Sequence, residues 1–163
     1  MRKVFLFGFL AVIFSSCATF QSNASYAANG RIAIVEVISD GSTSVPENRH
    51  LTRYMHDITE QTFTTEILTL MRENVQPLLM GGKTLEECDL DCLVQVGKSF
   101  NAAFITQAYI VRSEEGFSVT SEIYDVASGQ KIGSATNIAS SESSIERTVF
   151  LSTAQMYNQF TGK

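Results

Sequence analysis

"AAFITQAYIVRSEEGFSVTSEIYDVASGQKIGSATNI", Ala102 to Ile138, decides how this chain folds. The first run, Ala102 to Arg112, is apolar and rich in β-branched and aromatic residues, and "SEEG" joins it to a second, Phe117 to Val126. The second alternates, placing Phe117, Val119 and Ile123 on one face, as a half-buried strand requires. "ASGQ" then turns the chain into "KIGSATNI". Three consecutive strands are predicted.

Working outward, "RIAIVEVI" (Arg31 to Ile38) is nearly all apolar and reads as a buried strand. "SDGSTSVPENRH" (39–50) clusters Gly, Ser, Pro and Asn, which is loop chemistry. From Leu51 a helical stripe begins with Tyr54, Met55 and Ile58, then shifts to Phe63, Ile67, Leu70 and Met71, with a bend expected at Thr62 to Thr65. Val75 to Met80 reads as a short second strand, with Pro77 marking a sheet edge. A second helix follows Asp89, carrying Leu93, Val96, Gly97 and Phe100 on one face. The last helix starts near Ser143, where Ser143 and Glu146 have capping-box spacing, and carries Ile145, Val149, Met156 and Phe160. The order β-α-β-α-β-β-β-α predicts an α/β fold: a sandwich of one mixed sheet with helices packed on it, over residues 31–163.

The amino terminus supplies the compartment. Met1-Arg2-Lys3 is basic, Val4 to Phe14 is apolar apart from Gly8, and Ser15-Ser16-Cys17 is small. The apolar run falls short of the roughly 18 to 20 residues that cross a bilayer, so residues 1–16 read as a lipoprotein signal peptide. Phe14-Ser15-Ser16-Cys17 resembles the bacterial lipobox, although Phe14 replaces the usual aliphatic residue. The rival is cleavage after Ala27, since Ser25-Tyr26-Ala27 has the small-x-small form; the long segment ahead of it favours Cys17. Lipidation of Cys17, palmitate included, would anchor the chain far more firmly than one acyl chain can. Ala18 follows the Cys where an Asp would argue for inner-membrane retention, which favours the outer membrane with the domain facing the periplasm. Residues 17–30 are small, polar and uncharged, and read as a flexible tether.

Composition then excludes partners. The formal charge is −5 for the whole chain and becomes −7 once Arg2 and Lys3 leave with the signal peptide. An acidic surface without a basic cluster repels phosphates and excludes nucleic acid. Trp is absent and Pro occurs only twice, so aromatic sugar platforms and Pro-rich docking segments lack support.

"GGKTLEECDLDC" (81–92) offers three chemistries. A phosphate-binding loop would need Gly at position 77, which is Pro77; Pro has no amide to give a phosphate. A zinc site would need further ligands near Cys88 and Cys92, and the only histidines are His50 and His56. Dithiol catalysis favours two residues between the cysteines, and here there are three. A structural disulfide Cys88–Cys92 at a helix start, with Asp89 as N-cap and Asp91 in the first turn, fits best in an oxidising compartment. No catalytic, metal or cofactor motif is recognised. His56, Asp57 and Glu60 read as a solvated helix face. Glu36 stands inside an apolar run, where a carboxylate is costly unless paired; pairing with a helix amide is the expectation, and catalysis the alternative.

The stretch "ECDLDCLVQVGKSFNAAFITQAYIVRSEEGFSVTSEIYDVASGQKIGSA" resembles a family of bacterial envelope lipoproteins related to the curli-secretion lipoprotein (CsgG-type) and to the amino-terminal domain of TolB. The Cys pair, the "VGK" helix, the "AAF" strand and the turn Asp125-Val126-Ala127-Ser128-Gly129-Gln130-Lys131 carry it. The resemblance spans about Arg31 to Phe160 and is sharp from Cys88 to Ala135. It implies a non-enzymatic domain that binds other envelope proteins or assembles into homo-oligomers. The chain lacks extra amphipathic hairpins long enough for a membrane barrel, which sets it apart from the curli pore. Two alternatives stay open: an oligomeric subunit of an envelope secretion or transport complex, and a small-ligand-binding protein or enzyme using Glu36 and the 39–50 loop.

Overall fold

A computed structural model describes residues 30–162. The signal peptide, Cys17 and the tether up to Asn29 lie outside them. The elements, in chain order, are β1 (Ile32–Val35), β2 (Ile38–Ser39), α1 (Val45–Thr62), β3 (Ile67–Leu70), α2 (Arg72–Val75), α3 (Leu90–Ser99), β4 (Phe104–Ser113), β5 (Gly116–Asp125), β6 (Gln130–Ala139) and α4 (Ile145–Thr161). Between α2 and α3 run three single turns of 3-10 helix, Gln76–Leu78, Met80–Gly82 and Leu85–Glu87.

Six strands form one mixed sheet in the order β3-β1-β4-β5-β6, with β2 pairing β4. Strand β1 is parallel to both β3 and β4, whereas β4, β5 and β6 form an antiparallel meander. β1 is apolar throughout because both faces are covered. Ile32 and Ile34 meet the layer of Leu51, Met55 and Ile58 from α1 and Val149, Met156 and Tyr157 from α4. Ala33 and Val35 meet Leu85, Leu93 and Val96 on the opposite side. Helices therefore lie on both faces of the sheet, α1 and α4 on one and α3 on the other.

Two local devices fix the α3 side. At Gly97 an added Cβ would stand 2.6 Å from a methyl of Val126, so only glycine lets α3 approach the end of β5. Asp125 accepts the Ser128 amide at 2.6 Å and the Ser128 hydroxyl at 2.8 Å, and Gly129 follows at φ 69°. That is an Asx turn closed by a left-handed glycine, and it places β6 beside β5.

The mixed sheet with packed helices agrees with the α/β expectation, but two of its elements come from other residues. Helix α1 begins at Val45, inside the stretch read as loop; Ser44 caps it and Pro46 sits in the first turn, where no amide is needed. The helix ends at Thr62 without bending into the Ile67 stripe. Ile67 to Leu70 is instead strand β3, paired in register with Ile32 to Val35. Val75 to Met80 is not a strand: Val75 closes α2 and Pro77 lies in a 3-10 turn. The capping box expected at Ser143 and Glu146 forms at Ser141 and Ser144, leaving Glu146 to reach His50 at 3.0 Å.

Candidate functional site

Strand β1 hands the chain to the α1 layer, while β3 hands it to the α3 layer. Their carboxyl ends diverge at the kind of place where open α/β sheets form a ligand crevice. Glu36 stands there, fully buried. Its carboxylate accepts the backbone amide of Arg72 at 2.8 Å. The Arg72 Nε lies 3.5 Å from one carboxylate oxygen and the Arg49 Nε 3.8 Å from the other. Each arginine then reaches outward to a second acid. Arg49 donates to Glu73 at 2.8 Å, and Arg72 donates through both terminal nitrogens to Glu86 at 2.6 and 3.0 Å. The result is a ladder, Glu73–Arg49–Glu36–Arg72–Glu86, running from one surface through the interior to another.

The fork-to-carboxylate geometry of Arg72 and Glu86 has electrostatic consequences. Its hydrogen bond to Glu86 pushes the Arg72 pKa up, and the same bond holds the Glu86 carboxyl below its ordinary range. Taking a carboxylate such as Glu36 out of water costs several kcal/mol. One amide and two guanidinium groups offset that cost, so the expected pairing with a helix amide is present, with two arginines added. No sequence spacing linked Glu36 to Arg49 or Arg72; the partners meet only because α1 and α2 both start beside the end of β1.

Ser39 and Asp40 line a depression of about 200 Å³ with Glu86 and Tyr109, and Glu36 is not among its walls. Asp40 is occupied in any case: it accepts from the amides of Ser42 and Arg112.

The other sequence candidates are dispersed. His50 pairs with Glu146, whereas His56 bonds Thr69 through Nδ1 at 2.8 Å and Glu60 through Nε2 at 3.3 Å. Asp57, with Arg53 and His56, lines an open hollow against Thr69 and Met71. Cys88 and Cys92 are joined by a disulfide, with Cα atoms 5.2 Å apart. Asp89 caps α3 by accepting the Cys92 amide at 3.0 Å and holds Lys83 at 3.1 Å, so the lysine of the glycine loop is tied to the helix start. Among the described residues no group of three or more His, Cys, Asp or Glu is arranged to hold a metal ion. No helix among them is long and apolar enough to cross a membrane.

A second polar cluster escaped sequence reasoning. Tyr124 donates to Glu122, which also accepts from Lys131 at 2.8 Å and Ser134 at 3.3 Å. Burial alone would raise the Glu122 pKa, but the Lys131 and Tyr124 hydrogen bonds outweigh it and the net shift is downward. Burial likewise pushes Tyr109 up to about 12 and Tyr124 upward. Beside them Gln107 is fully buried with neither amide atom hydrogen-bonded among the described residues. Period-two alternation is the one signal that could have found the cluster: it puts Gln107, Glu122 and Ser134 in one row across three strands.

No protein-family model and no curated protein sequence matches the chain. Solved structures do. A crystal structure of TolB from Acinetobacter baumannii matches with a TM-score of 0.50 and 16% identity over 81% of this chain and 28% of that one. The LpoB C-terminal domain from Salmonella enterica matches with a TM-score of 0.49 and 12% identity over 69% of this chain and 83% of that one. The lipoprotein GNA1162 from Neisseria meningitidis matches with a TM-score of 0.44 and 11% identity over 66% and 77%. This chain thus spans under a third of the TolB structure. The TolB half of the sequence resemblance has a counterpart at the level of the fold; at such identity the likeness extends to fold alone.

Proposed function

We propose that the chain is a lipoprotein of the bacterial cell envelope, anchored to the outer membrane through Cys17, whose periplasmic domain binds other envelope proteins and performs no chemistry of its own. Cys17 lies outside the described residues, and the lipobox-like Phe14-Ser15-Ser16-Cys17 supports its role. The observation that carries the non-catalytic reading is the buried Glu36 ladder. The carboxylate best placed for catalysis is fully inside, clamped by Arg49 and Arg72, where a substrate does not reach it. The same burial weighs against the ligand-binding alternative through Glu36 and the 39–50 loop. The ring-forming alternative remains a matter for native mass measurement: a strict monomer at high concentration rejects it.

Metabolic labelling with an alkynyl fatty acid tests the anchor. Wild-type chain is expected to take up label and sediment with outer membranes, and Cys17→Ser to lose both. Equal labelling of the two, with the chain freely soluble, would overturn the proposal.

A further inference from the structure

Strand β6 is one edge of the sheet, and such an edge is a template for another strand unless something blunts it. The first half of β6 is blunted. Lys131 stands at its start, the pairing with β5 shifts register near Ile123 and Tyr124, and the outward amide of Ser134 is taken by the Gln159 side chain at 3.1 Å. Among the described residues the second half is open. The two-residue alternation of an antiparallel ladder turns the backbone groups of Thr136 and Ile138 the same way as those of Ser134. From Ala135 to Ala139 the strand carries no charge and no Pro.

Apolar side chains bracket that open half. Ile138 is 48% exposed on the sheet face opposite α4, in one row with Ser118 and with Val111, itself 48% exposed. Leu151, 40% exposed, lies one helical turn from Gln155, which accepts from Asn137 of β6 at 2.9 Å. Leu151, Gln155 and Gln159 form the stripe of α4 that borders the edge. A strand laid along β6 would therefore meet Ile138 with one set of alternate side chains and Leu151 with the other.

The charges at this end of the sheet select the occupant. Glu114 and Glu115 form the tip of the β4–β5 hairpin and make no ion pair among the described residues; Glu142, three residues past β6, lies 3.8 Å from Arg112, which leaves acids in excess at this end. Two copies of a chain with a formal charge of −5 repel each other.

We infer that Ala135 to Ala139 is the docking edge for an extended, basic segment of a partner protein, added to the sheet as a further strand. The inference rests on the protein-binding reading above and identifies where the partner sits.

The test uses the full chain in detergent micelles and two synthetic decapeptides of alternating valine and threonine, one with lysines at both ends and one with glutamates. Amide hydrogen exchange is followed residue by residue. The lysine peptide is expected to slow exchange at Thr136 and Ile138 at least tenfold, and the glutamate peptide to leave it unchanged. Ile138→Glu and Leu151→Glu, each folded by circular dichroism, should abolish the protection, whereas Leu78→Ser should retain it. Three results overturn the inference: no protection by the lysine peptide, equal protection by both peptides, or protection that grows with chain concentration alone, which would mean a second copy occupies the edge. Crosslinking of a native partner through another face would also overturn it while leaving the proposed function standing.

Discussion

Arg72 donates its backbone amide to Glu36 at 2.8 Å while its guanidinium holds Glu86, so one residue joins a buried acid to a surface one. The chain two residues past β3 is thereby bound to the end of β1, and the divergence of the two strands is closed by charge.

Removing the acid should cost more than removing either outer partner. Glu36→Ala leaves two guanidinium groups around an uncompensated interior, and we expect a loss of about 3 kcal/mol. Glu73→Ala removes a half-exposed ion pair with Arg49, and such pairs contribute under about 1 kcal/mol. Urea denaturation of both variants checks the ranking; equal losses would mean the ladder is not organised around Glu36.

The Arg72–Glu86 contact predicts an acid limb in the stability profile. Glu86 has its folded pKa below the unfolded value of about 4.5. Its contribution is therefore present above that value and disappears as pH falls through the folded pKa. Denaturation midpoints measured from pH 6 downward should drop more steeply for wild type than for Glu86→Gln. Parallel curves would reject the coupling.

Gln107 predicts a gain. Its amide is buried with no hydrogen-bond partner among the described residues, so replacing it with an apolar residue of similar volume removes an uncompensated cost. Gln107→Met should be neutral or stabilise by about 1 kcal/mol. A loss larger than that would show that the amide is satisfied in solution.

Tyr157 ties α4 to α1 through Thr59 at 2.7 Å in the core. Burial pushes its pKa up to about 12, so ultraviolet difference titration should leave this tyrosine protonated well beyond pH 10. Tyr157→Phe should cost about 1 kcal/mol, because Thr59 keeps its second bond to the Met55 carbonyl.

The disulfide closes a four-residue separation, for which chain entropy allows about 2 kcal/mol. A Cys88→Ala, Cys92→Ala double variant should therefore fold, with a thermal midpoint several degrees lower. Failure to fold would give the bond a larger role than pinning the start of α3.

What could be read in advance was local. The β4–β5–β6 meander announces itself through period-two alternation and turn residues, and the Asp125 to Gly129 motif carries its own turn geometry. Asp89 and Cys92 stand three apart, which is enough to foresee the cap on α3. In the sequence Ile67 and Leu70 continue a helical stripe; a four-residue apolar run has no period of its own, and only pairing with β1 makes it a strand. Val75 to Met80 misleads in the same way: Val75 closes α2 and Leu79 follows a 3-10 turn, and both pack on the α3 side. Glu36 could be flagged as a carboxylate in need of a partner. That the partners are Arg49 and Arg72 was decided by tertiary structure, because residues 13 and 36 positions away become neighbours only when two helices start beside one strand end. The same holds for the open edge at Thr136 and Ile138: alternation shows which side chains share a face, but which strand ends the sheet is settled by where the others find their pairs.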